Sequence, residues 1–78
     1  MKLTVQIASV PDRDNLVAEL WYGDEQWGEI SQETENLRLE IYPRASEKND
    51  KVWSFDLIEV TDNLRNAQKQ IEAKNPLE

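Results

Sequence analysis

Leu16-Val17-Ala18-Glu19-Leu20-Trp21-Tyr22-Gly23-Asp24-Glu25-Gln26-Trp27-Gly28-Glu29-Ile30 is the stretch on which the fold turns. Two runs rich in β-formers flank Gly23, which can take the positive φ of a tight turn, so the stretch reads as a hairpin with strands near 16–22 and 26–32. Its register has two solutions. A two-residue Gly23-Asp24 turn sets Leu20 opposite Trp27, whereas a three-residue connection sets Trp21 opposite Trp27 and Ala18 opposite Ile30. The second sorts the side chains better. It gathers Leu16, Ala18, Leu20 and Ile30 on one face and Glu19, Glu29 and both tryptophans on the other, and a slip of one residue mixes the two sets.

Upstream, Leu3, Val5 and Ile7 alternate with Thr4 and Gln6, predicting a first strand over about 2–8, and Val10-Pro11-Asp12-Arg13-Asp14-Asn15 reads as a loop. Downstream, Glu33 to Asn36 reads as a turn, and Leu37, Leu39 and Ile41 alternate with Arg38, Glu40 and Tyr42 in a strand over 37–42. Pro43 to Asp50 is an exposed connection with no large apolar residue, and Val52-Trp53-Ser54-Phe55 suggests a short fifth strand. The helix carries the strongest start signal. Asp56 and Glu59 form a capping box, Phe55 can staple onto Val60, and Leu57, Val60, Leu64, Ala67 and Ile71 make one stripe over about 57–74. Charge follows the helix dipole, with Asp56, Glu59 and Asp62 early, Arg65, Lys69 and Lys74 late, and Asn75-Pro76 as the stop.

An isolated 18-residue helix of this kind is marginal in water, so its stripe must dock. The expected fold is a single α+β domain over 1–78: an antiparallel meander of four to five strands with one C-terminal helix packed on one face. Leu3, Val5, Ile7, Leu20, Ile30, Leu39, Ile41 and Phe55 are its expected core.

Composition narrows the chemistry. Among 78 residues there is no Cys, no His and only two Gly, which removes thiolate and imidazole chemistry and the usual phosphate-cradling loops. No catalytic residue, cofactor or metal site is expected. The net charge of −7 disfavours nucleic acid and anionic membrane as partners. Uninterrupted apolar runs are at most three residues long, as in Leu20-Trp21-Tyr22, and the first residues alternate instead of forming a signal core, so a cytoplasmic protein is expected. Asp12-Arg13-Asp14-Asn15 has the opening of a calcium loop, but Leu16 occupies the fifth position and no glycine follows it.

If the helix covers one sheet face, the other carries Glu19, Trp21, Trp27, Glu29, Arg38, Glu40 and Tyr42. These seven are the candidate partner-binding residues. Aromatic side chains are enriched where partners bind, although the same rings can equally form a self-sufficient cross-strand ladder. From Glu19 to Glu40 there are seven acids and one base, Arg38, a local −6 of the −7 total. Such a field steers a basic partner, with Arg38 expected to balance one of the acids. Glu19 with Glu29, or Glu29 with Glu40, are the remaining paired carboxylates, but an open sheet face gives them little means of shifting a pKa.

The runs Ala18 to Ile30, Leu37-Arg38-Leu39-Glu40-Ile41-Tyr42-Pro43-Arg44 and Trp53-Ser54-Phe55-Asp56-Leu57 before the helix resemble a family of small bacterial proteins, over about residues 16–72. That resemblance implies a short stand-alone bacterial protein and transfers no activity or catalytic residue. In layout alone, an acidic sheet followed by a helix is also similar to immunity proteins that neutralise bacterial toxins. The expected function is a non-enzymatic protein-interaction module, immunity- or antitoxin-like in its most specific form. It would act on a protein partner, preferably basic, or on a second copy of itself. The alternative is a weak enzyme or a small-ligand or metal-binding protein that uses the sheet carboxylates.

Overall fold

The computed structural model describes residues 2–44 and 52–74. Four strands, β1 (Leu3–Ala8), β2 (Val17–Tyr22), β3 (Glu25–Ser31) and β4 (Arg38–Ile41), form one antiparallel sheet in the order β1-β2-β3-β4, and α1 (Leu57–Lys74) follows. The architecture is α+β, as the alternating front and the capped, striped back require. Val52 to Asp56 takes no strand pairing, so the fifth strand is absent among the described residues. Trp53 and Phe55 instead pack as a loop against the core. The predicted connection at 45–50 and the predicted stop at Asn75-Pro76 lie outside the described residues.

Both hairpin registers weighed above occur, one on each side of a bulge. Ala18 faces Ile30, Glu19 faces Glu29 and Leu20 faces Gly28, but beyond that point Trp21 faces Gln26 and Tyr22 faces Glu25. Trp27 is the extra residue. The turn is therefore the two-residue Gly23-Asp24 connection, and Gly23, at φ 63°, is the sole positive-φ residue described, as a type II′ turn demands. A bulge lets two residues oppose one and re-aims a side chain. Here it turns the Trp27 ring toward the helix side, where it is 3% exposed. The expected Trp21–Trp27 pair on the far face is thus corrected. The apolar drive to bury an indole outweighs an unbroken ladder.

Leu3, Ala18, Leu20, Trp27, Ile30, Ala67 and Ile71 are the buried core, with Val5, Ile7, Tyr22, Trp53, Phe55, Val60 and Leu64 packed against it. Phe55 joins its rings together, lying 4.9 Å from Trp27, 5.3 Å from Tyr22 edge-on and 5.9 Å from Trp53. The helix begins as its sequence dictates, with the Glu59 amide donating to Asp56 Oδ2 at 2.9 Å. Ala67 and Ile71 are fully buried, but Leu57, the expected first member of the stripe, is exposed.

That exposure reflects where the helix lies. Because α1 crosses β1 and β2, it leaves the helix side of β4 uncovered: Leu39 is 44% and Ile41 60% exposed, not core as expected. Gly28 brings β4 close to β3. A Cβ there would sit 2.5 Å from the Glu40 carbonyl oxygen, inside any real contact distance.

Candidate functional site

Among the described residues no helix covers the far face of the sheet. Strand pairing runs one row across it: Gln6 opposite Glu19, Glu19 opposite Glu29, and Glu29 opposite Glu40. Three carboxylates on adjacent strands repel unless a cation or a donor intervenes. The cation is Arg13. The β1–β2 loop folds back over this face, and Arg13 Nη2 lies 2.7 Å from Glu29 Oε2 and 2.9 Å from Glu40 Oε1. Burial works against the guanidinium charge, but the two carboxylates outweigh it and raise the Arg13 pKa.

Donors complete the cluster. The Tyr42 hydroxyl donates to Glu29 Oε1 at 2.8 Å, and Ser31 Oγ makes a longer 3.4 Å bond to Glu40 Oε2. Burial first, then the bond to Glu29 and the charges of Glu29 and Glu40, push the Tyr42 phenol up to about 12. Glu29 is buried, so its charge is held by partners on two sides.

The loop that delivers Arg13 is itself anchored. The amides of Asp14 and Asn15 donate to the Glu33 carboxylate at 3.1 and 3.0 Å, and the Asn15 side-chain amide donates to the Gln32 carbonyl. Those amide bonds hold the Glu33 carboxyl below its ordinary value of 4.5.

Of the seven candidate residues, the structure brings Glu29, Glu40 and Tyr42 into one hydrogen-bonded group. Glu19 accepts from Trp21 Nε1 at 3.2 Å, a second pair on the same face. Arg38 stands opposite Ser31 and, among the described residues, makes no ion pair, so the balancing role expected of it belongs to Arg13. Trp27 is removed to the core. The far face is accordingly less aromatic than its sequence suggests: Trp21 and Tyr42 remain, both half-buried.

Sequence reasoning missed Arg13 by treating its segment as a bare turn. A signal was present, since Arg13 is the one base between Lys2 and Arg38, and a row of facing acids needs a cation. Among the described residues no three acids gather as metal ligands.

On the helix side, the part of the sheet that α1 leaves open forms a groove of about 460 Å³ lined by Trp27, Leu39, Ile41, Trp53, Phe55 and Leu64. Arg44 caps one end, its guanidinium 4.9 Å from the Trp53 ring centre, and Trp53 Nε1 donates to the Tyr42 carbonyl at 2.9 Å.

Fold and site together define a small α+β protein with a carboxylate-lined sheet face, an open strand edge and no helix long and apolar enough to cross a membrane among the described residues. Comparison with protein-family models, with curated proteins and with solved structures gave no match.

Proposed function

We propose that this chain is a non-enzymatic protein-interaction module that receives a basic protein on the far face of its sheet. The observation that carries the reading is the Glu19–Glu29–Glu40 row on a face that no helix covers among the described residues, where Arg13 is the one described base ion-paired to the row. Trp21 lies beside Glu19 at the open end of that row and offers the apolar contact that a charged surface alone lacks. Acidic residues in the turns, Asp24 and then Glu33 and Glu35, rim the same sheet and extend the field that draws a cation in. An inhibitor of a basic toxin or of a nucleic-acid enzyme, in the manner of bacterial immunity proteins, is the most specific form of this reading. Carboxylate catalysis has less support, because Arg13 already bonds both Glu29 and Glu40.

Titration with an Arg- and Lys-rich peptide, followed by amide NMR, tests the proposal. Shifts should concentrate on Glu19, Trp21 and Glu40, weaken with added salt, and vanish in a Trp21→Ser, Glu19→Gln variant that keeps its helical CD signal. Shifts scattered over the helix acids, or unchanged in that variant, would sink it.

A further inference from the structure

The free edge of the sheet carries a pattern of its own. Tyr42 N donates to the Trp27 carbonyl at 2.9 Å, and Glu29 pairs with Glu40, so in the alternating antiparallel ladder the backbone groups of Arg38, Glu40 and Tyr42 turn toward β3. Those of Leu39 and Ile41 turn outward, and no described residue bonds to them. Edge strands are ordinarily guarded by lysine, proline, a bulge or an inward-pointing charge. β4 has no lysine, proline or bulge; it is four residues long, its two charges, Arg38 and Glu40, are of opposite sign, and Leu37 just before it and Leu39 and Ile41 on its helix side are 37%, 44% and 60% exposed. The opposite edge differs, because Leu3 is buried and Val5 and Ile7 pack against the core under the helix.

We propose that β4 pairs antiparallel with β4 of a second copy, joining two sheets into one of eight strands with both helices on the same side. The chosen occupant follows from charge. Side chains opposite each other must share a face, which limits a two-fold pairing to registers centred on one residue. Centred on Glu40, the two Glu40 side chains oppose each other; centred on Arg38, the two arginines do. Centred on Leu39, Arg38 faces Glu40 of the partner twice on one side of the sheet, while Leu39 meets Leu39 and Leu37 meets Ile41 on the other. In that register every outward backbone group of Leu39 meets its complement. Arg38, unpaired among the described residues, gains a carboxylate, and Glu40 accepts it beside the long Ser31 contact at Oε2. The apolar strip left bare by the helix is covered from the other copy. This pairing shares Glu40 with the proposed partner face but is read by self-association and not by peptide binding, so the two proposals fail separately.

Sedimentation equilibrium of the full chain over a concentration series should show the mass rising from 9.1 kDa to twice that value. R38E and E40R should each turn two attractive pairs into two repulsive ones and weaken association roughly 10- to 100-fold. Mixed in equal amounts, those two variants should associate with each other, since the R38E chain then offers two acids to two bases. L39K, which places a charge in the apolar strip while leaving the Arg13 cluster intact, should also be monomeric with unchanged CD, and it decides the matter if E40R fails to fold. A parent chain that stays at 9.1 kDa, single variants that associate as well as the parent, or folded variants that form no mixed dimer overturn the proposal.

Discussion

Tyr42 shows how one side chain records its surroundings. Its phenol is raised from 10.0 to about 12 by burial and by the carboxylates it faces. A group whose folded pKa lies above its unfolded value contributes stability that is fully present below the unfolded value and is lost as pH rises through the folded one. The hydroxyl bond to Glu29 should therefore hold up to about pH 10 and fail toward 12, which an absorbance titration of the phenolate will follow. Glu29→Gln should move that midpoint down without returning it fully to 10.0, because burial, the largest cause, remains. Gly28 is the second sensitive residue. Gly28→Ala forces a methyl against the Glu40 carbonyl, and urea unfolding should show a loss of about 1–3 kcal/mol with faster amide exchange along β4. Facing acids at Glu19, Glu29 and Glu40 are legible from alternation alone, but Arg13 is not, because a loop side chain crossing to another strand leaves no periodic trace.

Among the elements, the helix is the most legible. Its bounds, Leu57–Lys74, coincide with those read from Asp56 and the apolar stripe, because capping and a period of 3.6 are local properties of the chain. Asp56→Ala should cost about 1 kcal/mol in thermal unfolding, the usual worth of such a cap. The hairpin is legible in its existence but not in its turn, where the preferred three-residue connection gives way to the two-residue Gly23-Asp24 turn, and it is half legible in its register, since a bulge depends on what the extra residue can fill, here the space under Phe55. Residues 52–55 depart from the expected strand because their β-prone composition also suits a loop that lays two rings on a core. The β1–β2 loop has its own pH signature. Glu33 is held low by two amides, so its contribution is present above its ordinary value of 4.5 and disappears as pH falls through the lower folded value. Protection of the Asp14 and Asn15 amides, taken relative to their intrinsic exchange rates, should fall in that acid window, and Glu33→Gln should reduce the pH dependence.

For the whole molecule, the asymmetry of cover matters most. One helix seated over β1 and β2 divides the apolar residues into a buried half and an open half, and substitutions should divide likewise. Ile71→Ala, in a fully buried site, should cost about 2–5 kcal/mol. Ile58→Ala, on a side chain 71% exposed, should stay within about 0.5 kcal/mol, and paired denaturant curves will separate the two. A stripe and an alternating strand reveal that a helix must lie on a sheet, but the strands it chooses depend on distant packing, here of Trp27 and Phe55. The bulge has one more consequence. If Trp27 were deleted outright, Gln26 would follow directly on to Gly28, and the ladder would run straight with every remaining strand residue still pointing the way it does now. β3 is thus the place where this fold can gain or lose one amino acid without inverting its two sides, and shorter relatives should keep the glutamate row while surrendering the ring that fills the middle.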